Sequence, residues 1–238
     1  MDEDKQLHNV SRTTEQSECR TKSRFQLAKE LEDKQRIQNT LSQYAQAEDR
    51  GASLLRQMLT FTPGPQEKEM ITKQMKEEEG HAKIFTNQLK KFNFEETPLY
   101  ATLQQFYEFC QECVNNKDWV ACITCQAALE ELAMASFGEF YNRVDDKETQ
   151  EILLKVIEEE RQHLAFCMDQ LQKFVKNKET KEKIEQTQRM IVQVLAKGVM
   201  FTTLTSDQRN AAIKVLKQAH TMHTNKMKTL NIDFPQAI

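Results

Sequence analysis

The sequence predicts an all-α protein: a four-helix bundle with an internal pseudo-two-fold repeat, followed by two additional C-terminal helices. Three observations carry this. Only five Gly and four Pro interrupt 238 residues rich in Glu, Lys, Gln, Leu and Ala, a composition of long helices and not of turn-rich sheets. Apolar residues recur in steps of three and four over long stretches. Two of those stretches carry the same chemistry, "KEEEGHAKIF" with Glu78 and His81 and "EEERQHLAF" with Glu160 and His163.

Residues 1–22 are polar, without apolar period, and read as a disordered tail. A first helix from about Phe25 carries Ile37, Leu41, Tyr44, Ala52, Leu55 and Leu59 on its apolar stripe, interrupted by one acid, Glu48. "TPGP" at 62–65 ends it, because prolines cannot continue a helix and Gly64 permits a tight reversal. The second helix carries Ile71, Met75, Ala82, Phe85, Leu89 and Phe92, with Glu78 and His81 on the same face and Glu79 turned to water. A connection at about 95–117 contains a helix near 98–113 and a polar break, "NNKD".

The third helix, about 118–142, has Trp119, Ile123, Ala127, Met134, Phe137 and Tyr141 in its stripe, again with one acid, Glu130. Its neighbour Glu131 falls on the face of Thr124, Ala128, Ala135 and Gly138. After "DDKE" a fourth helix aligns Leu153, Ile157, Leu164, Cys167, Leu171 and Phe174 with Glu160 and His163. The bundle therefore spans 23–176. Residues 177–238 hold helices at about 179–200 and 207–230, which carry enough apolar surface to pack on it.

An offset of 82 residues superposes the halves without a gap: Glu48 on Glu130, Glu78 on Glu160, His81 on His163, and "NQLKKF" on "DQLQKF". In each half the two Glu are 30 residues apart with a turn midway. At a helical rise of about 1.5 Å, both lie roughly 22 Å from the reversal, level across a helical hairpin. Two such hairpins bring four carboxylates and two imidazoles to one level of the core. Burying unpaired charges costs several kcal/mol each, so cations or protons must be present, and this mixed oxygen and imidazole set suits two divalent metals such as iron or manganese.

One Glu from each of two helices, and Glu-x-x-His from each of the other two, resembles the ferritin-like di-iron carboxylate superfamily, close in motif to rubrerythrins and demethoxyubiquinone hydroxylase. The resemblance covers about 25–176 and implies Glu48, Glu78, His81, Glu130, Glu160 and His163 as ligands. It implies two iron ions (or manganese, or a mixed pair), with dioxygen or peroxide as reactant. The expected activity is oxidation or hydroxylation of a small organic substrate, fed by an external electron donor. An iron- or peroxide-handling binding protein and a metal-free helical scaffold are the alternatives.

Tyr44, one turn before Glu48, could hydrogen-bond a ligand carboxylate or donate an electron, but reads first as a core tyrosine with its hydroxyl satisfied. Phe85, Phe137, Tyr141 and Cys167 could line a substrate pocket or simply be core. Cys110, Cys113, Cys122 and Cys125 form C-x-x-C-x8-C-x-x-C, either a metal clip or buried small side chains. His220 and His223, three apart on the last helix, could bind a metal weakly, but read first as a solvated face.

With 33 basic and 36 acidic residues in no long block, nothing indicates a nucleic-acid partner. No apolar run approaches the roughly 18 residues of a membrane span, although "MIVQVLAKGVMF" at 190–201 is a modest membrane-facing candidate. The start Met-Asp-Glu-Asp suits no signal or transit peptide, and the six cysteines read as reduced. The expectation is a cytoplasmic protein without a transmembrane segment, which could assemble as a homodimer.

Overall fold

The computed structural model describes residues 24–201 and 206–232, so the tail read at 1–22 lies outside the described residues. Among these, seven helices and no strand occur: α1 Arg24–Met58, α2 Pro65–Lys91, α3 Ala101–Asn115, α4 Trp119–Tyr141, α5 Lys147–Phe174, α6 Lys178–Phe201 and α7 Ser206–Thr229. The chain divides into two compact units, 1–37 and 38–238. The first holds the start of α1, where Arg36 pairs with Asp33 one turn earlier. The second holds everything below.

The helix boundaries follow from local chemistry. Pro65 occupies the first turn of α2, where its missing N–H costs nothing. Asp118 caps α4 by accepting from Ala121 N at 3.1 Å, and Asp146 caps α5 by accepting from Thr149 N at 2.9 Å. Asn93 and Lys117 take positive φ, of 54° and 52°, just past the ends of α2 and α3, letting the chain leave each helix.

In the second unit α1 and α2 face each other through the Arg56–Glu79 ion pair at the surface and the buried His81–Glu48 contact. The α4–α5 hairpin repeats this arrangement, α2 packs on α5, and α3 lies against α4 and α6. Helix α3 is tied to α1 by Tyr107 Oη donating to the Ala47 carbonyl at 2.8 Å and by Gln111 and Gln57. Helices α6 and α7 both pack on α4. That leaves α4 enclosed, which explains its composition: it is long and apolar enough to cross a membrane, yet most of its surface is buried inside the protein. It is a core helix.

The extended segment before α3 is held by polar side chains of α1. Ser42 Oγ accepts from Thr97 N at 2.7 Å, and Gln46 donates to Thr97 O. Gln43 donates to Pro98 O at 2.9 Å and accepts from Tyr100 N at 2.6 Å, supplying partners to a partly buried backbone segment that lacks secondary structure. Replacing Gln43 with Ala orphans both backbone groups. The expected cost is about 1–3 kcal/mol, read as a fall in Tm of roughly 2–4 °C per kcal/mol in a calorimetric scan.

Candidate metal centre

All six residues predicted from the repeat are buried and converge: Glu48 from α1, Glu78 and His81 from α2, Glu130 from α4, Glu160 and His163 from α5. His81 Nδ1 lies 3.3 Å from Glu48 Oε2, 3.2 Å from Glu160 Oε1 and 4.0 Å from Glu78 Oε2. His163 Nδ1 lies 2.9 Å from Glu160 Oε2, 3.4 Å from Glu78 Oε1 and 3.8 Å from Glu130 Oε2. Glu78 and Glu160 thus each turn one oxygen to either imidazole. Two donor sets result, Glu48/Glu78/His81/Glu160 and Glu78/Glu130/Glu160/His163, the atoms of each within 4.8 Å of one another. They share Glu78 and Glu160, while Glu48 and Glu130 belong to one set each.

The far nitrogen of each imidazole meets a carboxylate of the opposite hairpin. His81 Nε2 is 2.8 Å from Glu159 of α5, and His163 Nε2 is 2.9 Å from Glu77 of α2. A proton on Nε2 in these bonds leaves Nδ1 with its lone pair toward the carboxylates, the tautomer a metal requires. Glu77 and Glu159 are themselves 82 residues apart, and so are Lys73 and Lys155, which lie one turn earlier and approach them at 3.5 and 3.7 Å. Sequence reading overlooked this outer ring, though the same offset contained it.

The electrostatics express the crowding. Burial, then the charge of Glu78, raises the Glu48 carboxyl well above the usual range. Burial and Glu160 do the same to Glu130. Burial pulls His81 down, but the carboxylates of Glu160 and Glu48 outweigh it and lift its pKa to about 11; His163 is raised likewise. Protons therefore stand in for cations. The donor set fits two divalent ions: four carboxylates and two neutral imidazoles carry four negative charges, and two such ions cancel them.

The halves differ in detail. Gln74 of α2 donates to Glu130 Oε1 at 2.7 Å, whereas its counterpart in the repeat is Val156. At the other end Gly51 stands beside Glu78, where a Cβ would sit 3.7 Å from Oε2. Tyr44 does not reach a carboxylate: its hydroxyl bonds the Ser136 carbonyl and hydroxyl, each at 2.9 Å, and its ring packs on Phe85, Phe137 and Phe140. Phe85, Phe137 and Cys167 are fully buried and Tyr141 is half-buried. Tyr107, which the periodicity did not single out, is buried with its hydroxyl on Ala47, next to Glu48.

His223 corrects an expectation. It is buried rather than solvated, and its Nδ1 meets Glu131. Glu131 thus points from α4 to α7, away from the six residues, as its helical phase required.

Among solved structures, the chain is similar to "Protein 19 with aldehyde deformylating oxidase activity from Synechococcus". The two are 13% identical, with 84% of this chain and 92% of that chain covered and a TM-score of 0.72. The fold is a ferritin-like bundle. No protein-family model matches the chain, and no curated protein does either.

Two expectations follow for metal uptake. Glu130→Ala lowers bound manganese(II) from two ions per chain to one or none by elemental analysis, while Glu131→Ala leaves two; the reverse would exchange the roles of these neighbours. The second concerns pH. Because folding raises the His81 pKa, its stabilising contribution is complete below 6.5 and lost as pH climbs through about 11. The raised Glu48 and Glu130 pKa values act in the same sense above 4.5, and Glu160, which is lowered, acts oppositely only below 4.5. The Tm of metal-free protein should fall from pH 6.5 upward, and the Tm gain on metal loading should widen, in parallel calorimetric scans.

Proposed function

We propose that the protein is an oxidoreductase that binds two iron ions through these six residues and uses dioxygen or peroxide to oxidise a small organic molecule. The observation that carries the reading is the sharing of Glu78 and Glu160 between two donor sets, each completed by its own imidazole and its own Glu. A pair of metals held by shared carboxylates supplies redox-active, Lewis-acidic positions at which an oxygen species can be reduced.

The chain's own residues perform the rest. Glu77 and Glu159 fix the imidazole rings and keep the Nε2 protons in place, so that Nδ1 remains a donor. Glu48 and Glu130, each in one set, can change how they bind without disturbing the shared pair. Gln74 restrains Glu130 and nothing equivalent comes from Val156, so Glu48 is the more mobile carboxylate and its end, beside Gly51, is where a reactant is admitted. Tyr44, Phe85, Phe137 and Phe140 form an apolar wall that excludes water and favours an apolar substrate. The aldehyde deformylating oxidase activity of the structural neighbour supports the oxygen-dependent class. Electrons come from an external donor.

The test is anaerobic loading with two equivalents of iron(II), followed by an oxygen pulse monitored by Mössbauer spectroscopy and an oxygen electrode. An exchange-coupled ferric pair should form with stoichiometric oxygen uptake, and Glu78→Ala should abolish the coupling. Isolated ferric ions with no uptake above that of free iron would refute the assignment.

A further inference from the structure

Four thiols outside the carboxylate centre have no part in the proposed reaction. Cys110 and Cys113 are one helical turn apart on α3, and Cys122 and Cys125 one turn apart on α4, so each pair shares a helix face. The two helices are joined by a turn of three residues, 116–118. Cys113 lies two residues inside the end of α3 and Cys122 three residues inside the start of α4, with Cys110 and Cys125 each one turn further from the reversal, which brings the four to adjacent levels of one antiparallel hairpin. All four are buried and unbridged. Cys113 Sγ lies 4.0 Å from Cys125 Sγ, and Cys110 also acts on the Cys125 thiol, which therefore sits between two others.

A pure packing role does not call for this convergence. Ala or Val would fill the interface of α3 and α4 without setting weak sulfur donors against one another. The spacing has a chemical counterpart: metal–thiolate bonds of about 2.3 Å in a tetrahedron place sulfur atoms about 3.8 Å apart. The Cys113–Cys125 separation is close to such an edge. The four thiols share one apolar core cluster with Phe106, Val114, Ala121, Ile123 and Ile184; of the carboxylates whose charge reaches Cys113, Asp118 is already engaged by Ala121 N and Lys183, and Glu112 is exposed. Sulfur donors without carboxylates select soft ions, the opposite preference from the oxygen-rich centre further along α4.

We infer that Cys110, Cys113, Cys122 and Cys125 form a second metal site, specific for a thiophilic d10 cation, zinc(II) or copper(I), that clips α3 to α4. Binding requires the Cys110 and Cys122 side chains to rotate onto an ion held between Cys113 and Cys125. Each metal–sulfur bond formed releases one thiol proton to solvent, and no electron is transferred. The neighbouring thiols, and then burial, hold Cys113 and Cys125 protonated in the metal-free state, so uptake is favoured by rising pH. The site is independent of the di-iron reading, since no residue is common to both.

The full chain, reduced and metal-free, is titrated anaerobically with cadmium(II), as the chromophoric probe for zinc, and separately with copper(I). The readouts are sulfur-to-metal charge-transfer absorption, which carboxylate binding does not produce, and peptide-level alkylation. One ion per chain should give the band and protect the four cysteines. Protection of all four by cadmium assigns a zinc-type site; protection of Cys110, Cys113 and Cys125 by copper(I) alone assigns a copper-type site. The double variant Cys113→Ala/Cys125→Ala should lose the band and retain two manganese(II) ions at the carboxylate centre. Absence of a band with either metal, its persistence in the double variant, or a Cys113–Cys125 disulfide with no metal uptake would overturn the inference. If the double variant fails to fold, Cys110→Ser, whose thiol belongs to the zinc-type and the copper-type arrangement alike, must weaken the band, and an unchanged band overturns the inference equally.

Discussion

The structure depends on one constraint: four carboxylates and two imidazoles occupy a single buried level, where like charges cannot all persist without cations. Burial and mutual repulsion drive Glu48 and Glu130 toward their protonated forms, and the same field makes both imidazoles strongly basic. The folded chain tolerates this because protons substitute for metal. The level itself is set by geometry, since equal arms on either side of each hairpin turn align α1 with α2 and α4 with α5.

Around this level the chain is built outward in rings. Shared carboxylates form the centre, Glu77 and Glu159 orient the imidazoles across the hairpin boundary, and Lys73 and Lys155 neutralise the outer carboxylates at the surface. The 82-residue repeat carries the symmetry of these rings, and individual residue differences between the halves break it. Val156 stands where a second Gln74 would be, so the hydrogen bond that Glu130 receives from Gln74 has no counterpart in the repeat, and Gly51 lies beside Glu78. The additional helices respond to the same core: α4, enclosed by α5, α6 and α7, sends Glu130 to the centre and Glu131 to His223.

What could be read from the sequence was what repeats or has a helical period. Helix positions, the reversals at TPGP and DDKE, and the six donor residues all follow from a 3.6-residue stripe and an 82-residue offset. Glu77 and Glu159 obeyed the same offset but lie in runs of three acids, where periodicity alone marks them as surface. The Glu131–His223 pair spans 92 residues and joins two different helices, so no local pattern betrays it, and His223 resembled a solvated residue. The docking of residues 97–100 by Ser42, Gln43 and Gln46 was hidden for a related reason: backbone partners carry no side-chain signature. Tyr44 was placed on the correct face, yet its hydroxyl found Ser136, whose carbonyl and hydroxyl offered a nearer partner than a crowded carboxylate.

The central claim is that Glu78 and Glu160 are shared by two metals. Crystals soaked anaerobically in manganese(II) and measured at its absorption edge test it most directly. The account predicts two anomalous peaks per chain about 3.5–4 Å apart, one next to His81 and one next to His163, with the carboxylates of Glu78 and Glu160 between them. A single peak, or two peaks that do not have both carboxylates in common, would contradict it.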